Sequence, residues 1–196
     1  MAKRTIDLIC SALGIALLSP LFLLIAVWIK RSSGPVLFRQ VRVGQHGRTF
    51  RIHKFRTMVL TDESKSRQIT VGGDPRITHC GAFLRRWKLD ELPQLIDVFL
   101  GDMSLVGPRP EVPQYVALYP NESRRLILSV KPGITDLASI QYKDENELLA
   151  RAEDPEREYI DTVLPAKIRF YEDYARNHCL WTDMVIVGKT LQALFE

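Results

Sequence analysis

The most prominent hydrophobic pattern lies at the start of the chain. From Leu8 to Ile29 the sequence has 22 consecutive residues without a charge, longer than an ordinary buried helix and long enough to span a bilayer. Lys30 and Arg31 follow directly, without a small-residue cleavage site, so a cleaved signal peptide is disfavoured. The pattern therefore predicts a helix that contacts lipid.

Ser19 and Pro20 lie in the middle of this apolar run. Proline removes a backbone donor and clashes with the carbonyl four residues earlier, which predicts a kink in the helix. The Ser19 hydroxyl is placed to bond a carbonyl that Pro20 frees. Basic residues flank both ends of the run, as in segments whose two ends stay on the cytoplasmic side. The residues alone leave two topologies open, a re-entrant helix broken at Ser19–Pro20 and a kinked helix that spans the membrane.

An alternation of apolar and polar residues follows the run and predicts a β-hairpin with its turn at 44–47. Its apolar positions are Val36, Phe38, Val41, Phe50, Ile52 and Phe55. Basic residues fill other positions of the hairpin, namely Arg39, Arg42, Arg48, Arg51, Lys54 and Arg56. These residues are compatible with a phosphate pocket, a contact with anionic lipid, or a solvated edge strand.

The rest of the chain has mostly helical patterns, so the predicted fold class is α+β and mostly helical. Residues 60–75 are predicted to form an exposed loop. Two short helices follow, the second running from near Asp90 to Gly101. Further helices begin near Pro155 and Pro165, and their apolar residues suit either core packing or amphipathic helices at the membrane interface.

The formal net charge of +4 is unevenly distributed. Residues 1–60 hold ten Lys and Arg against Asp7 alone, a balance of +9, and residues 61–196 have a balance of −5. Because the basic residues follow an apolar run and lack an aromatic stacking platform, lipid or phosphate is favoured over nucleic acid. Three widely spaced cysteines give no basis for a disulfide framework.

Asp90 and Glu91 are the first candidates for chemistry, because they adjoin at a predicted helix N-terminus. Three cations precede them at Arg85, Arg86 and Lys88. Such a terminus favours anions, and a divalent cation can bridge carboxylates to diphosphate oxygens. The alternative is structural, with Asp90 capping the helix and Glu91 adding charge to its first turn.

Arg109 is the second candidate, because Pro108 and Pro110 give its guanidinium a stiff support suited to bidentate phosphate recognition. A structural pair with a carboxylate such as Glu111 is the alternative. The four histidines have no metal-site spacing, and the chain has no Gly-rich phosphate loop.

Several long motifs in fixed order resemble the bacterial sugar transferase family, the monotopic polyprenyl-phosphate phosphoglycosyl transferases. The matching segments are the apolar run with Ser19–Pro20, 34–40, 54–58, 89–94, 101–110 and 131–135. The resemblance implies transfer of a sugar 1-phosphate from a UDP-sugar to a polyprenyl phosphate such as undecaprenyl phosphate, with release of UMP and a requirement for Mg²⁺. This reaction begins the assembly of membrane-linked glycans such as exopolysaccharides.

The resemblance also implies roles for individual residues. Asp90 and Glu91 correspond to the catalytic pair and metal ligands, with Asp90 attacking the β-phosphate to form a covalent phosphosugar-aspartate. Cations expected to bind substrate phosphates are Lys54, Arg85, Arg109 and Lys143. Lys143 stands where arginine is common, within a segment, 136–143, that departs from the family pattern. The identity of the sugar is therefore left open.

The family's architecture favours the re-entrant topology over the spanning helix. Residues 1–31 are then the re-entrant membrane helix and 32–196 the catalytic domain, both in one structural unit at the cytoplasmic face of a bacterial inner membrane. The chain is expected to be a minimal catalytic unit, with a homo-oligomer left open. Two other functions stay open, a membrane-anchored module that only binds lipid or a partner, and a hydrolase of nucleotide sugars.

Overall fold

The computed structural model describes residues 2–59 and 74–193, and the fold is α+β and mostly helical, as predicted. The predicted loop at 60–75 lies outside the described residues except for its last two positions. The helices are α1 Ala2–Lys30, α2 His79–Arg86, α3 Gln94–Leu100, α4 Pro113–Ala117, α5 Asn121–Ile127, α6 Leu137–Gln141, α7 Glu145–Ala150, α8 Pro155–Glu158, α9 Leu164–Asn177 and α10 Leu180–Ala193. The strands are β1 Leu37–Val43, β2 Thr49–Phe55, β3 Ser104–Val106 and β4 Gly133–Thr135.

The predicted β-hairpin is confirmed. Strands β1 and β2 pair antiparallel, with Leu37 opposite Phe55 and Val43 opposite Thr49. Ile52 and Phe55 are both buried, and because they are three positions apart they lie on opposite faces of β2 and pack in different hydrophobic clusters. A second sheet was not predicted, in which β3 and β4 pair in parallel through only three residues each.

Helix α1 continues through Ser19 and Pro20 without interruption, and the kink expected there stays a prediction. The Ser19 hydroxyl donates to the Ala16 carbonyl at 2.8 Å. Ala16 is four residues before Pro20, so its carbonyl is the one that loses its helical donor. The predicted hydroxyl bond is therefore confirmed, and it explains why the helix tolerates the proline. By length and composition α1 is sufficient to cross a membrane.

The first turn of α1 is held by elements that lie far along the chain. The Lys3 ammonium donates to the Val106 carbonyl at 3.0 Å and to the Asp183 carboxylate at 2.6 Å. The Tyr174 hydroxyl bonds the same two groups, at 2.9 and 2.7 Å. The start of α1 is thereby tied to β3 and α10.

The last turn of α1 is held by the hairpin. The buried Arg56 guanidinium donates to the carbonyls of Ile29 and Ser32, at 3.2 and 3.1 Å, and to the Ser33 carbonyl. Ile29 also packs in a cluster with Leu84 of α2. Both ends of α1 therefore contact the same folded body.

The second of the two helices predicted after the loop is divided in the structure. Residues Leu89–Glu91 form a separate turn of 3₁₀-helix, and α3 begins after Pro93. Pro93 has no N–H to offer the Leu89 carbonyl, which instead accepts from the Leu92 N–H at 3.3 Å in the 3₁₀ turn. Gly101 ends α3 in a left-handed conformation, with φ 98°, as predicted.

The C-terminal part is helical, and Pro155 and Pro165 lie in the first turns of α8 and α9, as predicted. Tyr171 and Val163 are fully buried in the largest hydrophobic cluster. Helix α10 buries only Asp183 and Ile186. Its large apolar residues are exposed, namely Leu180, Trp181, Met184, Val185, Val187 and Leu191.

We predict that two glycines respond oppositely to alanine. A Cβ on Gly81 would lie 2.0 Å from the Thr57 carbonyl oxygen, so Gly81→Ala should lower the free energy of unfolding by about 3 kcal/mol. Gly188, inside α10, has open space around its Cβ position, so Gly188→Ala should raise it by about 0.5–1 kcal/mol. Denaturant unfolding in detergent measures both changes. Equal effects would contradict the close approach of α2 to Thr57.

Candidate active site

A cavity of about 240 Å³ brings all six predicted catalytic and phosphate-binding residues together. They are Lys54, Arg85, Asp90, Glu91, Arg109 and Lys143. Five separate parts of the chain supply them: β2, α2, the 89–91 turn, the loop after β3 and the α6–α7 connection. The fold therefore gathers motifs that are up to 89 residues apart (54 to 143) around one space.

Lys54 bridges the two adjacent carboxylates. Its ammonium lies 3.0 Å from Oδ2 of Asp90 and 2.9 Å from Oε1 of Glu91. The Asp90 side chain is 3% exposed, so the Lys54 ammonium rather than water compensates its negative charge. The carboxylates of Asp90 and Glu91 thus converge on the Lys54 ammonium.

The two terminal nitrogens of Arg109 donate hydrogen bonds to the two carboxylate oxygens of Glu91, at 3.2 and 2.5 Å. Burial alone would raise the pKa of Glu91, but Arg109 and Lys54 hold it well below its ordinary value. The Glu91 charge in turn raises the pKa of Arg109. Arg109 therefore does pair with a carboxylate, as in the structural alternative, but its partner is Glu91 rather than Glu111.

Arg85 donates to the Thr57 hydroxyl at 2.9 Å, and burial lowers its pKa. It forms no ion pair with a residue in the described ranges 2–59 and 74–193. Lys143 is exposed and lines the cavity from the α6–α7 connection. Thus Lys54 and Arg109 are bound to carboxylates, whereas Arg85 is not.

Sequence reasoning missed a buried polar network in the cavity wall. Glu111 lies 3.7 Å from Arg42 and accepts a 2.9 Å hydrogen bond from the Tyr159 hydroxyl. Lys167 of α9 forms an ion pair with Glu145 and lies over the Tyr159 ring. Only tertiary contacts bring these residues together, so no local signal could have identified them.

His53, one of the four histidines without metal-site spacing, joins β2 to α3 directly behind the site. Both oxygens of the buried Asp97 carboxylate bind His53, one to its backbone N–H at 2.8 Å and one to its ring nitrogen at 2.6 Å. Burial raises the pKa of Asp97, and the bonds from His53 oppose that rise. Because Lys54 is the next residue, this bidentate contact fixes the position of Lys54 relative to Asp90.

Oxygen donors at the site suit a magnesium ion. Mg²⁺ is usually held by one or two carboxylates together with water and substrate phosphates. Asp90 and Glu91 present two converging carboxylates, and within the described parts of the chain no third acidic, histidine or cysteine side chain joins a metal-binding group. The residues therefore fit a site that substrate phosphate would complete.

Comparisons with known proteins identify the class to which this cavity belongs. A sequence profile of the bacterial sugar transferase family matches residues 1–196. The chain belongs to this family.

Three relatives are similar along almost the whole chain. A UDP-N-acetylgalactosamine-undecaprenyl-phosphate N-acetylgalactosaminephosphotransferase of Aeromonas hydrophila is 39% identical over 98% of the chain and 43% of its own length. A UDP-glucose:undecaprenyl-phosphate glucose-1-phosphate transferase of Escherichia coli K12 is 37% identical over 97% of the chain and 39% of its own length. The exopolysaccharide production protein ExoY of Rhizobium meliloti is 33% identical over 99% of the chain and 85% of its own length. The chain thus spans about two fifths of the first two relatives.

We predict that Glu91 stabilises the fold only while it is ionised. Its lowered pKa means that the stabilisation is complete above the ordinary value of about 4.3 and is lost as the pH falls through the folded-state value. Glu91→Gln should therefore lower the free energy of unfolding by about 1–3 kcal/mol at neutral pH and by less in acid. Denaturant unfolding over a pH series measures this. The exposed Glu122→Gln is the control, and a pH-independent loss in Glu91→Gln would contradict the ion pairing.

Proposed function

We propose that this chain transfers a sugar 1-phosphate from a UDP-sugar to undecaprenyl phosphate and releases UMP. The observation that carries the proposal is the carboxylate pair Asp90–Glu91, buried in a cavity whose other charged residues are mainly cations. A diphosphate needs such cations, and a transferred phosphoryl group needs a nucleophile beside them. The names of the relatives support the same chemistry.

Asp90 is the proposed nucleophile. One of its carboxylate oxygens forms a bond to the β-phosphorus of the donor, and the bond from that phosphorus to the bridging oxygen breaks, so that UMP leaves with the electron pair. An oxygen of the polyprenyl phosphate then attacks the same phosphorus. The P–O bond to Asp90 breaks, and the carboxylate returns. Splitting the transfer lets two large substrates use one small cavity in turn.

The cations have distinct proposed tasks. Lys54 and Arg109 fix the carboxylates, and Arg109 also offers its planar guanidinium to phosphate. Arg85, which forms no ion pair within the described parts of the chain, is directed to the phosphates. Lys143 contacts phosphate as a point charge at the far wall.

Magnesium is the proposed cofactor, with Asp90 and Glu91 as its protein ligands. When bound, Mg²⁺ offsets the negative charge of the diphosphate. The ordinary partner of both carboxylates is Lys54, whose flexible side chain is able to move aside and contact phosphate instead.

For the membrane, we propose the re-entrant arrangement on the cytoplasmic face. A 29-residue helix is about 43 Å long, yet Lys3 and Ile29, near its two ends, are bonded to one folded body. A helix that crossed the bilayer would place these ends on opposite sides. The exposed apolar side chains of α1 and of α10 would lie in lipid, with α10 at the interface.

Release of UMP tests the reaction. Protein in nanodiscs with Mg²⁺ and undecaprenyl phosphate should release UMP from at least one UDP-sugar in a panel, and Asp90→Asn should reduce the rate at least about 1000-fold, because an amide is not a comparable nucleophile. Asp102→Asn, at an exposed position outside the cavity, is the control. The same assay with EDTA tests the metal.

The outcomes separate the alternatives. Substantial turnover in Asp90→Asn would exclude the covalent role of Asp90, and release of UMP without lipid would favour a hydrolase. No release with any donor would favour a binding module. Activity that persists in EDTA would exclude Mg²⁺.

Labelling with a membrane-impermeant thiol reagent tests the topology. The test uses a chain whose Cys10, Cys80 and Cys179 are replaced by serine. Ala2→Cys then places a single thiol at the start of α1, and Ser33→Cys places one just after its end. Both should be labelled in inside-out vesicles and protected in right-side-out vesicles. Labelling of the two positions from opposite sides would show a spanning helix instead.

A further inference from the structure

Lys88 has an uncommon backbone conformation beside the catalytic pair. Its φ is 53°, and within the described residues only His46 shares a positive φ without being glycine. A side chain in this region is strained, and such strain concentrates at functional sites. The turn is nevertheless held on both sides, since the Lys88 N–H donates to the Arg85 carbonyl at 3.1 Å and its carbonyl accepts from Glu91 at 3.2 Å.

The Lys88 ammonium is available to a ligand. The residue is exposed and lines the same cavity as Asp90, two positions later. It forms no ion pair with any residue that the structure describes, in contrast to Lys54 and Arg109. Together with Arg85, it gives one wall of the cavity two cations that form no ion pair with a carboxylate among the described residues.

That wall is continuous with the apolar helix. Phe83 of α2 lies against Trp28 of α1, with ring centres 5.6 Å apart, and Leu84 packs on Ile25. Phe83 and Trp87 also keep almost half of their surface exposed. The cations at the end of α2 are therefore the ones reached from the helix that would lie in lipid.

We propose that Lys88 binds the phosphate of the polyprenyl acceptor. The inference rests on the proposed function, because it assigns the second of two phosphate substrates to this wall. A lipid phosphate must approach along the membrane surface, whereas a soluble nucleotide sugar has no such restriction. Lys88 and Arg85 then hold the acceptor phosphate beside Asp90, and Lys54 and Arg109 serve the donor.

Lys88→Asn tests the assignment without disturbing the turn, because asparagine tolerates the left-handed conformation and carries no charge. The KM for undecaprenyl phosphate should rise about tenfold, as expected for loss of a charge-assisted contact, while the KM for the UDP-sugar stays unchanged. Lys88→Arg should restore most of the acceptor affinity. Lys30→Asn removes an exposed lysine outside the cavity and is the matched control.

A binding measurement decides the assignment even if no donor is turned over, in which case the proposed function itself fails. Wild-type protein in detergent should bind farnesyl phosphate more tightly than farnesol. In Lys88→Asn the ratio of the two dissociation constants should fall about tenfold. Equal losses in Lys30→Asn would show unspecific attraction and overturn the proposal. A changed donor KM with an unchanged acceptor KM, or no change in either measurement, would overturn it as well.

Discussion

Two adjacent carboxylates in a buried turn are the constraint around which this protein is built. Asp90 and Glu91 repel each other and lose hydration on burial, so the turn is stable only if cations reach it from elsewhere. Lys54 comes from the hairpin and Arg109 from the loop after β3. Because each cation belongs to a different element, the compensation of these charges also fixes how hairpin, turn and loop sit together.

Contacts outside the site position the elements that carry Lys54 and Arg109. His53 and Asp97 hold β2 against α3, which keeps Lys54 within 3.0 Å of Asp90. The pairing of β3 with β4 places the segment that leads into Arg109. The arrangement is polar throughout, so its geometry is set by directional bonds rather than by shape alone.

Local signals in the sequence predicted local structure well. Alternation gave the hairpin, and Gly101 marked the end of α3. All six residues predicted from the motifs as catalytic or phosphate-binding lie around one cavity, although their roles stay predictions. What the sequence did not reveal depends on distant partners: the three-residue strands β3 and β4 are too short for a periodic pattern, and the Glu111 network exists only after folding. The helix continues through Pro20 because one hydroxyl replaces the missing donor.

The contact between Lys3 and Asp183 joins residues 180 positions apart. Closing so long a loop costs chain entropy, although this cost grows only slowly with loop length. During synthesis α1 is made long before its partner residue in α10. The contact that secures the start of α1 therefore forms only after α10 has been synthesised.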